Sequence, residues 1–376
     1  MSSIGSFLEK KIKKLFWTAV SPKTEKAELG PLRPGKSLSI LAIRPDRLGD
    51  FILSVPAIRM LQKSMGSPSK LTIVAGERNG EVARFFFPDS RVLVFRKSIL
   101  RRLPLFFRVW RGRYDAAFDF HSYPFSTTSA LITLWSGSVR RVGFWNDGES
   151  AELSRKTFNL GVPKPKDALH EKDKSLLLTK RLFQGRSLGP SRDFSIPPVP
   201  AKIRSKVAVF YKTVNLGKEV RVIGLHPTLQ KEDNRWSLAK YSELIQGLDK
   251  NQNFKFVLVH GRGEEGELKR FSRGMGTFSN VFALPSSDVL FILEAAKRFD
   301  LFVGGDSGVT HLAALVTRVL AIFGPSDPKR WGPLNTGHGT PLVLRKTDKL
   351  CDSVQSAEVA REIKRIFTTK YTKVTK

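Results

Sequence analysis

Residues 301–315 read LFVGGDSGVTHLAAL, which is a short apolar strand, a turn with three glycines and an apolar helical stretch. The strands of a parallel sheet end at the edge where ligands bind, so a glycine-rich turn at such an end is a candidate binding loop. Its backbone N–H groups can approach a phosphate closely, and the start of the following helix favours an anion. Asp306 lies in this turn, where its carboxylate can accept hydrogen bonds from a ribose diol. The stretch therefore predicts a parallel α/β sheet with a nucleotide-binding loop.

The same alternation of strands and helices extends through both halves of the chain and predicts two doubly wound α/β domains. Predicted strands cover residues 39–43, 71–74, 92–95 and 116–120, and then 221–225, 254–259, 281–284, 301–303 and 319–323. Three prolines between 197 and 200 favour an extended chain, so we expect the linker near residues 196–205. The expected organisation is an N-terminal extension (1–36), an N-terminal domain (37–200), a C-terminal domain (201–345) and a C-terminal helix with a basic tail (346–376).

The composition is that of a basic globular protein. The 376 residues include 64 Lys and Arg against 34 Asp and Glu, which gives a formal net charge of +30. Such a field attracts nucleic acids, anionic lipids and phosphorylated substrates without choosing among them. With 41% hydrophobic and 26% charged residues, the chain is neither wholly disordered nor a polytopic membrane protein. The single cysteine, Cys351, cannot form an intrachain disulfide and favours a reducing cytoplasm.

Two segments combine basic and apolar side chains. Residues 1–36 contain eight basic and three acidic residues, with apolar residues at helical spacing from Ile4 to Ala19. This pattern is typical of an amphipathic helix that lies on an anionic membrane, or of a helix docked on the protein itself. Residues 91–113 contain eight basic and no acidic residues, interleaved with Leu, Phe, Val and Trp. They predict an amphipathic helix with a solvated basic face, or a surface for lipid, for an acceptor or for single-stranded nucleic acid.

Two further loops directly follow predicted strands. In residues 44–50, Asp50 stands at the start of a helix, which stabilises its ionised form. An ionised aspartate can accept a proton from a sugar hydroxyl, and it can equally cap the helix. In residues 226–236, hydroxyl and basic side chains suit a phosphate, and Arg235 can bind one bidentately. A solvated polar loop is the alternative for this segment.

Three other patterns carry less weight. Residues 261–266 fit G-x-G-x-x-G, but Glu264 and Glu265 would repel a pyrophosphate, and the preceding strand is the second of its domain. Residues 305–308, Gly-Asp-Ser-Gly, resemble the nucleophile turn of serine proteases, but Val309 replaces the usual next glycine. The six histidines show no metal-ligand spacing and no D-x-D pair exists, so we expect no metal cofactor.

Together the loops resemble glycosyltransferase family 9, the ADP-heptose:lipopolysaccharide heptosyltransferases. The matching segments are Ile40–Arg44, Leu48–Asp50, Pro56–Ile58, His226–Pro227, Arg235–Trp236, Gly305–Gly308, His311–Ala314 and Phe323–Pro328, in the order of the family. The resemblance implies a GT-B fold, in which two Rossmann-like domains with parallel sheets face a central cleft. The acceptor would bind the N-terminal domain and the nucleotide sugar the C-terminal domain.

The resemblance also implies roles for individual side chains. Asp50 matches the general base proposed for the family, whereas Asp46 stands where a serine is common. The residues matched to nucleotide-sugar binding are Thr228, Arg235, Glu265, Asp306, Ser307, Gly308 and His311. The residues expected to bind the acceptor are Arg44, Arg47 and His121.

The function that the resemblance implies is the inverting, metal-independent transfer of a heptose from ADP-heptose to the lipopolysaccharide inner core. The acceptor would be a lipid-anchored phosphorylated saccharide. The enzyme would be cytoplasmic and peripheral on the inner face of the cytoplasmic membrane, with the ADP-sugar as co-substrate, no cofactor and no nucleic-acid partner. Three alternatives stay open: another nucleotide sugar or acceptor in cell-surface glycan synthesis, a catalytically inactive ligand-binding relative, and a basic nucleic-acid-binding α/β protein.

Overall fold

The computed structural model describes residues 37–96, 98, 102–122, 124–165, 169–183, 194–215, 220–228, 234–249, 254–274 and 278–368. The predicted N-terminal amphipathic helix, the tail beyond residue 368 and residues 229–233 lie outside this part of the chain. The chain divides into two compact units, of which the first ends at residue 193 and the second begins at Phe194.

The first unit is built on a six-stranded parallel sheet. Its strands β1 to β6 are Ser39–Arg44, Lys70–Gly76, Arg91–Phe95, Ala116–Asp119, Arg140–Trp145 and Leu160–Pro163. They pair in the order β3-β2-β1-β4-β5-β6, which is the strand order of a Rossmann fold. The helices α1 to α6 are Leu48–Met65, Gly80–Phe86, Leu103–Trp110, Thr127–Trp135, Ala151–Thr157 and Glu171–Leu182.

The second unit repeats this plan. Its strands β7 to β12 are Arg221–His226, Phe254–Leu258, Val281–Ala283, Leu301–Gly305, Val319–Phe323 and Leu342–Arg345. Their order is β12-β11-β10-β7-β8-β9, which is the order of the first sheet seen from the opposite edge. The helices α7 to α13 are Ala201–Val214, Leu238–Asp249, Glu265–Gly274, Val289–Ala296, Gly308–Ala313, Pro328–Trp331 and Ser356–Thr368. The predicted pair of doubly wound α/β units is confirmed.

The structure contains elements that the sequence patterns did not predict. β5 and β6 are not among the predicted strands, and β6 ends at Pro163. A proline is tolerated there because β6 is an edge strand, where a missing N–H costs no ladder hydrogen bond. The predicted linker is extended only through Pro200, because α7 begins at Ala201.

Strand order places the candidate loops. In each sheet the order reverses next to the first strand, between β1 and β4 and between β7 and β10. Ligands of open α/β sheets bind at this switch point, outside the carboxyl ends of the strands. The loops that follow β1 and β4 are therefore neighbours in the first unit. Those that follow β7 and β10 are neighbours in the second.

Candidate functional site

In the first unit, the loops after β1 and β4 meet around the buried side chain of Arg44. Its Nη1 donates a hydrogen bond to the Phe120 carbonyl oxygen at 2.5 Å and lies 3.3 Å from Asp46 Oδ2. Its Nη2 lies 3.6 Å from Asp50 Oδ1. Burial lowers the pKa of Arg44, but the surrounding carboxylates outweigh it and raise that pKa above the ordinary value. Arg44, which was expected to bind the acceptor, is thus the counter-ion that holds the two aspartates.

Asp50 fills the capping role that its position suggested. It lies in the first turn of α1, where its Oδ2 accepts a hydrogen bond from the backbone N–H of Arg47 at 3.3 Å. Its other oxygen faces Arg44, and 17% of the side chain is exposed. Burial raises the pKa of Asp50 above the ordinary value, although Arg44 opposes that rise. The cap thus uses Oδ2, and among the described residues Oδ1 is paired with Arg44 alone.

His121 is held by two acceptors. Its Nδ1 lies 2.8 Å from Asp46 Oδ2, and its Nε2 lies 2.6 Å from the Pro124 carbonyl oxygen. Only the doubly protonated ring can donate to both, and the pKa of His121 is raised because the Asp46 carboxylate outweighs burial. Burial raises the pKa of Asp46, but Arg44 and His121 lower it by more. The pKa of Asp46 is therefore below the ordinary value. Of the three expected acceptor-binding residues, Arg47 is the one that is exposed.

Two acidic residues of this centre were not predicted from the sequence. Asp119 ends β4, accepts the His121 backbone N–H at 3.0 Å and has a pKa raised to about 7 by burial. Glu171 is buried, forms an ion pair with Lys174 at 3.1 Å and accepts a hydrogen bond from Ser122. Asp119 carries a signal that could have found it, a carboxylate at the end of an apolar strand. Glu171 begins α6 and follows no predicted strand, so the sequence patterns gave no signal for it.

The loop after β1 is fixed by a buried asparagine. The Oδ1 atom of Asn79 accepts the Gly76 backbone N–H at 2.5 Å, and its Nδ2 donates to the carbonyl oxygens of Arg44 and Asp46 at 3.3 and 3.2 Å. A Cβ at Gly76 would overlap the carbonyl oxygen of Pro45, so only glycine allows this close approach. This packing sets the position from which Asp46 reaches His121.

In the second unit, Glu264 joins the loops after β7 and β8. Its Oε2 accepts hydrogen bonds from His226 Nε2 at 3.0 Å, Thr228 Oγ1 at 2.8 Å and the Gly261 backbone N–H at 2.8 Å. Burial raises the pKa of Glu264, but these donors outweigh it and the net shift is downward. Thr228, expected near the donor diphosphate, is fully buried and bonded to this carboxylate. It therefore supports the start of the loop that leads to Arg235.

The same contacts explain the G-x-G-x-x-G pattern of residues 261–266. The side chain of Glu264 folds back onto the loop and takes the Gly261 N–H that a dinucleotide would need. Glu265 begins α9, is exposed, and accepts a hydrogen bond from Ser287 Oγ at 2.9 Å. Backbone and Ser287 hydrogen bonds lower the pKa of Glu265. The loop thus presents an ionised carboxylate instead of an anion cradle.

The turn after β10 is tied to β7 through hydroxyl groups. Ser307 Oγ accepts the Thr310 N–H at 3.2 Å and lies 3.2 Å from His226 Nδ1. Thr310 Oγ1 donates to the Gly305 carbonyl oxygen at 2.6 Å. A Cβ at Gly304 would lie 2.8 Å from that hydroxyl, so the tight turn requires glycine. His226 therefore bridges Ser307 and Glu264 and couples the two loops.

Asp306 and Arg235 each contact polar or charged side chains of the second unit. Asn234 Nδ2 lies 3.4 Å from Asp306 Oδ2, and His311 Nε2 lies 3.9 Å from Asp306 Oδ1. Arg235 is partly exposed and its Nη1 lies 3.0 Å from Glu267 Oε1. The predicted residues after β7 and β10 thus share one edge of the second sheet with an unpredicted asparagine, and they combine carboxylate, amide and guanidinium groups suited to a nucleotide.

Two kinds of feature are absent from the described residues. No three His, Cys, Asp or Glu side chains are grouped as metal ligands there. None of the helices in those ranges has both the length and the apolar character required to cross a bilayer.

Comparisons with known proteins agree with the geometry. A family model described as glycosyltransferase family 9 (heptosyltransferase) matches residues 102–360. A Haemophilus influenzae protein with a provisional glycosyltransferase name is 24% identical over 312 residues, which are 79% of this chain and 86% of that protein.

Three solved structures share the architecture. ADP-heptose LPS heptosyltransferase II of E. coli has a TM-score of 0.69 at 20% identity and covers 89% of this chain and 99% of its own. A glycosyl transferase family 9 protein of Veillonella parvula has a TM-score of 0.70 at 17% identity. The match covers 88% of this chain and 97% of that protein. The E. coli heptosyltransferase WaaC with ADP has a TM-score of 0.63 at 19% identity. The match covers 88% of this chain and 100% of that protein. The likeness establishes the fold, which is the GT-B fold expected from the sequence.

Proposed function

This chain belongs to glycosyltransferase family 9, and we propose that it transfers a heptose from ADP-heptose to a phosphorylated saccharide of the lipopolysaccharide inner core. The donor is supported by the names of the similar structures, an ADP-heptose LPS heptosyltransferase and a heptosyltransferase with ADP. The observation that carries the proposal is the partly exposed carboxylate of Asp50, held beside Arg44 at the switch point of the first sheet.

Asp50 is proposed as the general base of an inverting displacement. The acceptor hydroxyl gives its proton to Oδ1 of Asp50, the oxygen that does not cap the helix, while the hydroxyl oxygen attacks the anomeric carbon. The bond from that carbon to the β-phosphate oxygen breaks, and ADP leaves with the electron pair. Proton transfer of this kind contributes about 10²–10⁴-fold to a rate. Arg44, 3.6 Å away, favours the ionised form of Asp50 against the cost of burial.

The second unit is proposed to bind the donor. Arg235 and the backbone amides of the turn at Ser307–Gly308 would stabilise the charge that develops on the departing ADP, a task that a metal performs in other enzymes. Asp306 and Glu265 would accept hydrogen bonds from hydroxyl groups of the ribose. Thr228 and His311 would position this binding edge. We accordingly expect no metal requirement.

The acceptor side is proposed to use positive charge. Arg47 is exposed beside Asp50, and His121 carries its charge within the same centre. Arg47 suits a phosphate group on a saccharide acceptor, and the charge of His121, whose ring nitrogens are already bonded, adds electrostatic attraction. Because such an acceptor is lipid-anchored, we propose that the enzyme works as a cytoplasmic, peripheral protein at the inner face of the cytoplasmic membrane.

A thermal-shift panel tests the donor class. We expect ADP and ADP-heptose to raise the melting temperature more than UDP, GDP or NAD at equal concentration. A ligand at about 100 times its Kd stabilises by about 2.7 kcal/mol, which is readily measured. Replacing Asp306 with Asn should reduce the ADP shift, and Asp327→Asn, a matched change at the start of α12, should not. A larger shift with UDP or GDP would indicate another nucleotide sugar and would overturn ADP-heptose.

A further inference from the structure

One face of α3 presents large apolar side chains to solvent. Leu103, Phe107 and Trp110 are 63%, 53% and 61% exposed, and their spacing places them on one stripe of the helix. Leu105 and Val109, on the other face, are buried in the core of the first unit. The helix therefore has two apolar faces and the sheet covers one of them. An exposed apolar surface of this kind marks an interaction site.

Another exposed aromatic side chain lies on the next helix and contacts α3. Trp135, at the end of α4, is also exposed, and its ring packs edge-on against Phe106 of α3 with 5.7 Å between the ring centroids. We call Leu103, Phe107, Trp110 and Trp135 the aromatic patch. Two helices hold it on a packed layer, so it presents a preformed surface.

The charged side chains on α3 and at its C-terminal end are positive. Arg108 and Arg111 are exposed on α3, and the Arg111 guanidinium lies 5.5 Å from the centre of the Phe107 ring. Residues 91–113 contain no acidic side chain. Indole and phenyl rings settle at the headgroup level of a bilayer, and arginines beside them pair with lipid phosphates.

This combination favours a lipid surface over other occupants. Single-stranded nucleic acid binds along a charged groove with bases stacked on aromatic rings, whereas a stripe along a helix is convex. Protein interfaces are depleted in charge at their core and do not call for one sign of charge around it. A helix with apolar side chains along one face and basic residues beside them is the pattern of interfacial membrane binding.

We propose that the aromatic patch, together with Arg108 and Arg111, docks the first unit onto anionic phospholipid headgroups. The apolar side chains enter the headgroup region and the guanidinium groups bind phosphates. Neither Asp50 nor the donor loops take part, so this docking stands or fails separately from the transfer reaction.

Co-sedimentation of the full chain tests the docking. The vesicles contain phosphatidylglycerol and phosphatidylcholine in about equal parts. The variant R108A/R111A should lower the partition coefficient about 25-fold, since each arginine near an anionic surface contributes about 1 kcal/mol. The variant F107S/W110S should lower it at least about tenfold through lost apolar burial. Matched controls are R273A/K364A and V209S/L350S, which remove exposed charges and exposed apolar side chains of the second unit.

A site-specific readout separates the patch from the basic N-terminal extension of the full chain. The one cysteine, Cys351, is buried, so Leu103→Cys can carry an environment-sensitive fluorophore, and Val209→Cys serves as its control. Vesicles should shift the emission to the blue at residue 103 and leave it unchanged at residue 209. Wild-type binding by both patch variants, or no shift at residue 103, overturns the proposal.

Two other outcomes also overturn the proposal. One is a shift produced by single-stranded oligonucleotide but not by vesicles, which would assign the patch to nucleic acid. The other is a shift that grows with protein concentration without lipid, which would assign it to a second copy of the chain. The substituted side chains are exposed, so melting curves should match wild type. If F107S/W110S does not fold, R108A/R111A and the fluorophore decide the question.

Discussion

Replacing Asp50 with Asn isolates the charge of the proposed base. The amide oxygen of the introduced asparagine keeps the shape of the side chain and can still accept the Arg47 N–H that Asp50 accepts at 3.3 Å. We expect kcat to fall about 10²–10⁴-fold, the usual contribution of general-base catalysis. This loss corresponds to about 2.7–5.4 kcal/mol of transition-state stabilisation at 1.36 kcal/mol per decade.

The fold should tolerate this change. Burial raises the pKa of Asp50 by more than Arg44 lowers it, so the folded protein already disfavours the ionised carboxylate relative to solvent. A neutral amide removes that cost, while Arg44 keeps Asp46 at 3.3 Å as its counter-ion. The melting temperature of D50N should therefore equal or exceed that of wild type, and its shift with ADP should be unchanged.

Initial rates of ADP release between pH 4 and pH 9 provide the assay. Wild-type activity requires ionised Asp50, so it falls as pH drops through the pKa of that group, which is higher than that of an ordinary aspartate. The residual activity of D50N should lack this acid limb. Asp46→Asn is the matched control, because it removes the same charge beside Arg44 without removing the base.

Two results would refute the reasoning. The first is a D50N enzyme that retains more than about a tenth of the wild-type rate with the acid limb intact. The second is an equal loss in D46N and D50N, which would assign the effect to the electrostatics around Arg44. Either result would remove Asp50 from the role of base without touching the family assignment.

Three further changes test the packing of the two sites. Asp119 keeps its proton up to about pH 7 when folded but loses it near 3.8 when unfolded, so the wild-type free energy of unfolding falls as pH rises between these values. D119N should therefore gain stability relative to wild type from pH 5 to pH 8 in denaturant titrations, and a constant difference would contradict this. E264Q weakens a carboxylate that accepts three hydrogen bonds and should lose about 1–3 kcal/mol and some ADP affinity; an unchanged denaturation midpoint would argue against it. G76A should lose about 1–3 kcal/mol because its Cβ overlaps a carbonyl oxygen, whereas G247A, in open space on α8, should gain up to about 1 kcal/mol; the same sign in both would be wrong.

The predictable part of the fold comprises strands that are buried on both sides. β1, β7, β10 and β11 are nearly continuous apolar runs that end at glycines or polar loops, which is how central parallel strands read in sequence. β12 was missed because it is an edge strand of partly exposed residues, with no continuous buried run. β5 was missed because it begins with two arginines, Arg140 and Arg141, the second of which is buried.

The candidate site was predictable where one loop carries it. The turn at Gly305–Gly308 follows its strand directly, and its glycines predict a tight turn of the backbone. Glu264 was instead read as an obstacle to a pyrophosphate, because the sequence does not show that its carboxylate folds back to Thr228 and His226. The partner of a charged side chain is set by which loops become neighbours.

Local patterns were sufficient to establish two parallel α/β units, the loops at their strand ends and the family, because apolar runs and glycines act within a few residues. Tertiary structure decided which charges meet. Arg44 forms ion pairs with Asp46 and Asp50 of its own loop. It also donates a hydrogen bond to the carbonyl oxygen of Phe120, in the loop after another strand. The physical reason is that a parallel sheet with the order β1 beside β4 brings together strand ends that are far apart in the chain, and burial then makes each charge depend on the neighbour it finds there.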